Sequence, residues 1–497
     1  MLIVYALLAA GPITFHDQPL PGIRIGPPTP FTGRPATNFL HADLDGDGEV
    51  EIILPGAIWF QERGRYPEEL RRAWPGSASE GEADVAGREV FLRTPNHLFV
   101  YTWADEGWRE SIDQPLDWPG VHPPAAGPPG PSRRLFRRFA HDLDGDGIPE
   151  LVDLDSTGVH VFQRRGDRYE PAGLLPVLPA ATPAPSATQA IWPETARRIV
   201  LPDESLSCRL LIAGSVIDVL SATPERSGYR QYRRERIQIE PGPEGGYTAG
   251  RRTSSTSGTL PPHVRPCYLN QDTVPDYAGG RWDVSGGSAV PIPIYETWAS
   301  TDGGETFHIE RAPAFQHARP LCSFVDFDGD GAMDLVTEST PFYARGARET
   351  FNRYLTESRL QHLVHIRRQD AGSFSGGPVL THAVTIELGA PPISGGKMLD
   401  RYRAGQIVNI TGDFNGDGCL DLAARTSATS LEVFLARGWE GFHTNAAATI
   451  AIPEHGDFSV ADINGNGRAD VLVSWEPDPG SGEAPEVVAY FTGPAPP

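Results

Sequence analysis

The chain is 497 residues long, and its 54 glycines and 48 prolines favour many short strands and turns over long helices. Its 42 basic and 64 acidic side chains give a net charge of −22 at pH 7. This charge argues against a nucleic-acid-binding protein, because clustered lysine and arginine are what bind a phosphate backbone. A repeat fold explains the length better than three separate domains, because such folds grow by adding units.

The N-terminus has two interpretations. Residues 2–10 are apolar and precede small residues, as in a secretory signal, although no basic residue comes before them. Residues 2–5 and 17–20 also echo residues 98–101 and 113–116, which would make this segment a strand hairpin. We favour export, with residues 1–12 as a possible signal peptide and residues 13–497 as the repeat domain. No apolar run is long enough to span a bilayer.

An acidic loop, Asp-x-Asp/Asn-Gly-Asp/Asn-Gly-x-x-Asp/Glu, recurs five times, starting at Asp43, Asp142, Asp326, Asp413 and Asp462. Glycines at positions 4 and 6 permit a sharp turn, so that oxygens at positions 1, 3 and 5 converge. Such an oxygen cage suits a hard cation, and calcium is the usual occupant. We therefore predict up to five calcium ions. The weakest site is expected at Asp462, whose loop carries the fewest acids.

The metal-ligand candidates are positions 1, 3, 5, 7 and 9 of each loop. They are Asp43, Asp45, Asp47, Glu49 and Glu51; Asp142, Asp144, Asp146, Ile148 and Glu150; Asp326, Asp328, Asp330, Ala332 and Asp334; Asp413, Asn415, Asp417, Cys419 and Asp421; and Asp462, Asn464, Asn466, Arg468 and Asp470.

An EF-hand is the first alternative, but it needs an acid at position 12. That position holds an acid, Asp153, in only one of the five loops, whereas position 9 is acidic in all of them. Short β-prone runs flank the loops, which makes each one a strand-to-strand turn.

The loop followed by Leu, Ile or Val resembles the FG-GAP/VCBS repeat of integrin α-subunit propellers and of secreted bacterial propellers. Because the Phe-Gly and Gly-Ala-Pro signatures are mostly missing, the bacterial proteins are the closer resemblance. The family implies an all-β propeller with calcium loops between the first two strands of a blade. Degenerate copies near Asp203 and at residues 268–276 raise the count to seven blades, with six or eight as alternatives. The second copy has lost both glycines and is expected to keep the fold without the ion.

Further elements agree with a propeller. Third strands are predicted at residues 98–103, 159–162, 217–220, 362–366 and 431–435. Residues 300–307 resemble an Asp-box turn between third and fourth strands. Helices are expected at residues 66–74 and 347–361. Residues 13–17 are expected to pair with residues 487–491 as an outer strand, so that the two termini share a sheet.

Four cysteines, Cys208, Cys267, Cys322 and Cys419, fit no zinc spacing and leave two disulfides or buried free thiols as alternatives. His362 and His365 lie in a predicted strand and should point to opposite faces. His41 and His141 precede acidic loops, where an ordinary strand role or support of the loop is possible.

No known catalytic motif is present, which leaves two classes of function. We favour a non-enzymatic recognition module for a glycan or protein ligand. The alternative is a carbohydrate-active enzyme, a polysaccharide lyase or sialidase-like hydrolase, which would need an acid and a base in one cleft. Insertions at residues 61–95, 118–136 and 340–360 would carry the ligand-binding face. The candidate binding residues are Trp59, Arg65, Tyr66, Trp74, Tyr343, Arg345, Arg348 and Tyr354.

Calcium loops favour a secreted or otherwise extracytoplasmic protein, because calcium is abundant there.

Overall fold

We analysed a computed structural model of the chain. The structure describes residues 13–20, 25–28, 35–37, 40–54, 57–63, 65–74, 81–94, 97–104, 107–115, 134–136, 139–154, 158–176, 196–200, 207–224, 230–242, 245–260, 265–267, 269, 276–283, 292–299, 308–312, 318–339, 359–370, 373–374, 377–387, 407–453, 456–475 and 486–493. These residues form an all-β protein that divides into two compact units, residues 36–262 and residues 1–35 with 263–497.

Three short strands come first: β1 (Phe15–Pro19), β2 (Ile25–Pro28) and β3 (Pro35–Thr37), of which β2 and β3 form a two-stranded sheet. Residues 36–262 then form four sheets. Their strands are β4 (Leu40–Ala42), β5 (Glu51–Ile53), β6 (Ile58–Trp59) and β7 (Arg71–Arg72); β8 (Gly81–Ala86), β9 (Glu89–Arg93), β10 (His97–Ala104), β11 (Gly107–Pro115) and β12 (Arg134–Phe136); β13 (Ala140–His141), β14 (Glu150–Leu154), β15 (Val159–Arg165) and β16 (Arg168–Leu175); and β17 (Ala196–Val200), β18 (Ser207–Ala213), β19 (Val216–Pro224), β20 (Arg230–Pro241) and β21 (Tyr247–Leu260).

The other unit also contains four sheets. Their strands are β22 (Arg265–Cys267), β23 (Asp276–Asp283), β24 (Ile292–Ala299) and β25 (His308–Ala312); β26 (Ala318–Val325), β27 (Asp334–Ser339), β28 (Arg359–Arg367) and β29 (Leu380–Glu387); β30 (Val408–Gly412), β31 (Asp421–Ser427), β32 (Ser430–Phe434) and β33 (Ala448–Ala451); and β34 (Asp457–Ala461), β35 (Asp470–Trp475) and β36 (Glu486–Thr492), completed by β1.

In each sheet of four or five strands, consecutive strands pair antiparallel. Two strands are added from elsewhere in the chain: β12 pairs in parallel with the outside of β8, and β1 pairs with β36. The five predicted third strands lie in β10, β15, β19, β28 and β32, each the third strand of its sheet. The predicted Asp-box at residues 300–307 lies outside the described residues, between the third and fourth strands of its sheet.

The described residues form eight sheets of four or five strands, one more than the seven predicted blades. The additional sheet contains β8 to β12, and its third strand had been expected to belong to the sheet that begins at residue 40. The stretch 61–95 is therefore not an insertion, because it supplies β7, β8 and β9. A two-residue turn at Gly87 and Arg88 joins β8 to β9, where Ala86 pairs with Glu89.

The helix predictions are corrected. Residues 66–74 contain a single 3-10 turn at Glu68–Leu70 followed by β7, and this turn is the only helical element among the described residues. Residues 347–358 lie outside the described part of the chain, and residues 359–361 begin β28. The described residues contain no helix long and apolar enough to cross a membrane.

The expected pairing between the two ends of the chain is confirmed. Strand β1 runs antiparallel to β36, with Phe15 opposite Thr492 and Pro19 opposite Val488. The sheet that begins with β34 thus takes its outer strand from the N-terminus. Residues 1–12, the possible signal peptide, lie outside the described residues.

Neighbouring sheets within each unit pack face to face. In residues 36–262, Ile53 and Val90 share one apolar cluster. In the other unit, Val364 packs in one cluster with Leu422, and Ala423 packs in another with Val471. Small antiparallel sheets stacked in this way are consistent with a propeller-like fold.

Among the cysteines, Cys419 is a free, half-buried thiol, which excludes the alternative of two disulfides among the four cysteines. His362 and His365 lie in β28 as predicted. His362 is buried with its Nε2 atom 3.0 Å from Glu338 Oε2, and His365 contacts Thr381 Oγ1 at 2.9 Å.

Candidate metal centres

The five acidic loops occupy equivalent places in five sheets. Each joins the first strand of its sheet to the second, as predicted. We name them by their first residue: the Asp43 loop (43–51), the Asp142 loop (142–150), the Asp326 loop (326–334), the Asp413 loop (413–421) and the Asp462 loop (462–470). The glycines at positions 4 and 6 have φ between +69° and +89° in all five. Only glycine adopts this conformation readily, which explains why both glycines recur.

The side chains at positions 1, 3 and 5 accept hydrogen bonds from backbone N–H groups of their own loop. In every loop, position 1 accepts the N–H of position 6, position 3 accepts that of position 5, and position 5 accepts that of position 7. At positions 3 and 5 it is the Oδ1 atom that accepts the backbone. The Oδ2 atoms of the acids are therefore left to face the loop interior or its neighbours.

The acid at position 9 lies in a different environment from the side chains at positions 1, 3 and 5. The acid is buried in all five loops, and one of its oxygens accepts the N–H of the apolar residue at position 2. In the three loops of residues 263–497, the other oxygen accepts a backbone N–H just beyond the third strand, or at its end. The donors are Gln369, Ala436 and Thr492. The position 9 acid therefore fastens the loop to its own sheet.

Burial changes the proton affinity of these acids. Desolvation raises the pKa of Glu51 to about 8, of Glu150, Asp421 and Asp470 to about 7, and of Asp334 to about 6. The neighbouring carboxylates of the loop add to this effect because like charges disfavour ionisation. A bound cation would offset both costs.

Three loops bring acid oxygens together. Asp43, Asp45 and Glu51 form one group whose ligand atoms lie within 4.8 Å of one another. Positions 1, 3 and 5 do the same in the Asp142 and Asp326 loops. The Asp413 and Asp462 loops substitute asparagine at position 3, or at positions 3 and 5, and form no such three-acid group within the described structure.

The donor set fits a hard cation. All the groups at positions 1, 3, 5 and 9 are carboxylates or amides, which supply oxygen ligands. Two buried oxygens, Glu51 Oε1 and Asp326 Oδ1, have no hydrogen-bond partner, which leaves them ready to bind an ion. The side chains at position 7 are Glu49, Ile148, Ala332, Cys419 and Arg468. Because these side chains share no chemistry, position 7 can contribute to every loop only through its backbone carbonyl.

In the degenerate loop at residues 268–276, the position 9 acid still bonds to the residue at position 2. Leu269 and Asp276 are fully buried, and the Leu269 N–H donates to Asp276 Oδ2 at 2.9 Å. Residues 270–275 lie outside the described residues, as does the stretch around Asp203. The fastening by the position 9 acid is thus present where the glycines and the position 1 acid are missing.

Side chains distant in sequence also contact the loops. Arg88 donates to the backbone carbonyls of Leu44 and Asp45, and the Tyr247 hydroxyl donates to Asp144 Oδ2 at 2.9 Å. The Trp439 indole N–H donates to Asp328 Oδ2, and Arg368 pairs with Asp328 and Asp330. These donors lie 38 to 111 residues from the acids they contact, so no local pattern could have identified them.

His41 and His141 are half-buried in the strands that lead into their loops. Burial lowers the pKa of His41 to about 4, so its imidazole is neutral at pH 7. Neither histidine belongs to one of the three acid groups.

The candidate ligand-binding residues are corrected in part. Trp59, Tyr66 and Trp74 are buried, and their surroundings explain why: the Tyr66 hydroxyl donates to the Val50 carbonyl, and the Trp74 indole donates to the Leu54 carbonyl. These three side chains pack the sheet and are not a binding surface. Arg65 is exposed. The other four candidates, Tyr343, Arg345, Arg348 and Tyr354, lie outside the described residues.

Comparison with protein-family models identifies one repeat in the chain. Residues 413–473 match the family model described as an FG-GAP-like repeat. The match begins at the Asp413 loop and runs through the Asp462 loop into β35, and it confirms the resemblance to FG-GAP/VCBS repeats. No curated protein sequence matches the chain.

Proposed function

We propose that the chain, whose residues 413–473 match an FG-GAP-like repeat, is a calcium-binding, non-enzymatic recognition module. Each four- or five-stranded sheet is one propeller blade in this proposal. The observation that carries it is the shared geometry of five loops, in which an oxygen at each of positions 1, 3 and 5 accepts a backbone N–H of the loop. Three of these loops also bring three acid oxygens within 4.8 Å of one another.

Calcium would be held by the side chains at positions 1, 3, 5 and 9 and by the carbonyl at position 7. The ion supplies positive charge that balances crowded carboxylates and stiffens the turn. The protein's own part is to preset that turn, through the two glycines and the backbone bonds of each loop. The unpartnered oxygens Glu51 Oε1 and Asp326 Oδ1 support this assignment.

The ligand would bind at the opposite strand ends. The longest connections, residues 116–133, 177–195, 340–358 and 388–406, all follow a second or fourth strand. Residues 177–195, 340–358 and 388–406 therefore leave their sheets at the ends opposite the acidic loops of those sheets. Long connections on a rigid scaffold are common carriers of recognition. A glycan or a protein is the partner class that we propose, in an extracytoplasmic setting where calcium is abundant.

The metal part is tested by counting calcium ions on the purified protein and by melting it in millimolar calcium and in EDTA. We expect up to five ions and a higher melting temperature with calcium, because an ion bound only by the folded state stabilises it. Asp417→Ala should remove one ion. Glu387→Gln, which changes an exposed acid away from the loops, should remove none. No bound calcium and no thermal shift would refute the metal part.

The recognition part needs its own test. Calcium-loaded protein is applied to immobilised polysaccharides and matrix proteins, alongside a variant in which residues 341–357 are replaced by a Gly-Ser linker. We expect retention on one ligand class and its loss in the variant, while the melting temperature stays the same. Release of soluble sugar fragments from a retained polysaccharide would instead identify an enzyme.

A further inference from the structure

The arginine side chain of Arg368 contacts two acids of the Asp326 loop. Arg368 follows β28, and its Nη2 atom lies 3.2 Å from Asp328 Oδ2 and 3.2 Å from Asp330 Oδ2. The next residue, Gln369, donates its backbone N–H to Asp334 Oδ1 at 2.9 Å. The position 9 acid of the Asp326 loop thus holds the backbone that presents Arg368 to positions 3 and 5 of the same loop.

The oxygens that Arg368 contacts are those left over for an ion. The Oδ1 atoms of Asp328 and Asp330 accept backbone N–H groups of the loop, from Asp330 and Ala332 respectively. The Oδ2 atom of each acid is the one that Arg368 contacts. The guanidinium and a cation in this loop would therefore compete for the same two atoms.

Trp439 keeps the arginine in this position. Its ring centroid lies 5.5 Å from the Arg368 guanidinium carbon, a distance at which a cation and an aromatic face attract. Its indole N–H also donates to Asp328 Oδ2 at 2.7 Å. The residue that supports Arg368 therefore also fixes one of the acids that it contacts.

The other two loops with three clustered acids differ in this respect. Within the described structure, no arginine side chain pairs with the acids at positions 1, 3, 5 and 9 of the Asp43 or Asp142 loop. Arg88 contacts only carbonyls of the Asp43 loop, and Tyr247 brings a neutral hydroxyl to Asp144. Counting acids alone would rank the three loops as equals, because each has four at positions 1, 3, 5 and 9.

Resting on the proposed calcium binding, we propose that Arg368 is a built-in competitor that makes the Asp326 loop fill at a higher calcium concentration than the Asp43 and Asp142 loops. Calcium entering this loop displaces the guanidinium from Asp328 and Asp330 and alters the surroundings of Trp439. Arg368 thereby determines the affinity of one site without being a ligand.

The test is a calcium titration of the full chain by calorimetry, comparing wild type with Arg368→Gln, Arg368→Lys and Arg359→Gln. Removing the charge should tighten one weak site by about tenfold, an order of magnitude set by one unit charge close to the acids. The total number of ions should not change. Arg368→Lys, which keeps the charge, should stay close to wild type. Arg359, the first residue of β28, pairs with Glu387 and serves as an arginine control away from the loop.

Two readouts assign the tightened site. Asp330→Ala combined with Arg368→Gln should lose it. A tryptophan emission change should accompany the weak phase in wild type and disappear in Trp439→Phe. Melting in EDTA shows whether each variant is folded. Unchanged affinity in Arg368→Gln, with calcium still bound at the other loops, overturns this inference alone. No calcium on any variant or on wild type would instead refute the proposed function.

Discussion

The carboxylate of Asp421 holds two distant parts of one sheet together: Oδ2 accepts the N–H of Phe414 at 2.8 Å, and Oδ1 accepts that of Ala436 at 2.7 Å. Asp421 is fully buried at the start of β31, whereas Asp417, four residues earlier in the same loop, is exposed. The position 9 acid therefore holds the sheet together, whereas the exposed position 5 acid does not, although both belong to the predicted ligand set.

This difference predicts contrasting effects for two alanine variants. Asp421→Ala should destabilise the protein even in EDTA, because each buried N–H left without a partner costs about 1–3 kcal/mol. Asp417→Ala should leave the stability in EDTA nearly unchanged and reduce the stabilisation by calcium. Urea unfolding of both variants with and without calcium measures the two effects. Equal losses in EDTA would contradict the distinction.

The degenerate loop offers the same test without an ion. Asp276 keeps the bond to the Leu269 N–H, but position 1 is Tyr268 and the loop glycines are missing. Asp276→Ala should therefore lower the free energy of unfolding by a similar amount in calcium and in EDTA. The calcium stoichiometry should not change. A loss of one bound ion in this variant would show that the degenerate loop is a metal site after all.

The sequence predicted these loops well because all their determinants lie within nine residues. The positions of the acids distinguished the loop from an EF-hand, and the flanking β-prone runs placed it between two strands. Recognition of the sheet formed by β8 to β12 failed because that sheet has no acidic loop, even though Ala83, Val85, Val90 and Leu92 alternate around Gly87. That alternation was a usable hairpin signal.

Other features depend on contacts across the fold and had no local signal. Trp59 and Trp74 were predicted to be binding residues, yet both are buried, and the Trp74 indole donates to the Leu54 carbonyl. Arg368 and Trp439 reach the Asp326 loop from outside it, and Trp439 is 111 residues from Asp328. The relative affinity of the metal sites is thus a property of the tertiary structure and not of acid count.

The acids at position 9 predict how stability depends on pH when calcium is removed. Burial raises the pKa of Glu51 to about 8 and of Asp421 to about 7, above their ordinary values. Between those ordinary values and about pH 8, the folded state binds more protons than the unfolded state. Stability must then fall as pH rises through this window. Urea unfolding of metal-free protein at pH 5.5 and 8 should show lower stability at pH 8, and saturating calcium should remove the loss. Stability that rises with pH in metal-free protein would contradict the raised pKa values.

The pairing of β1 with β36 predicts different effects of proline at two adjacent positions. Leu20 donates its N–H to Val487, and Gly493 donates to the Thr14 carbonyl, so even-numbered residues of β1 form the hydrogen-bonded pairs. Odd-numbered N–H groups face away from β36, which explains how Pro19 fits in the strand.

Gln18→Pro should therefore break a bond of the ladder and lower the melting temperature by several degrees, because it removes an N–H that pairs with β36. Asp17→Pro, one residue earlier, removes only an outward N–H and should have a much smaller effect. Thermal melts of the two variants in the same buffer provide the comparison, and each variant controls for the rigidity that proline adds.

Since β1 is the outer strand of a sheet whose other three strands come from residues 457–492, loss of this pairing should expose β36 as a new edge. Increased self-association of Gln18→Pro by light scattering would accompany the lower melting temperature. Equal melting temperatures for the two variants would show that the N-terminal strand contributes little to the stability of the fold.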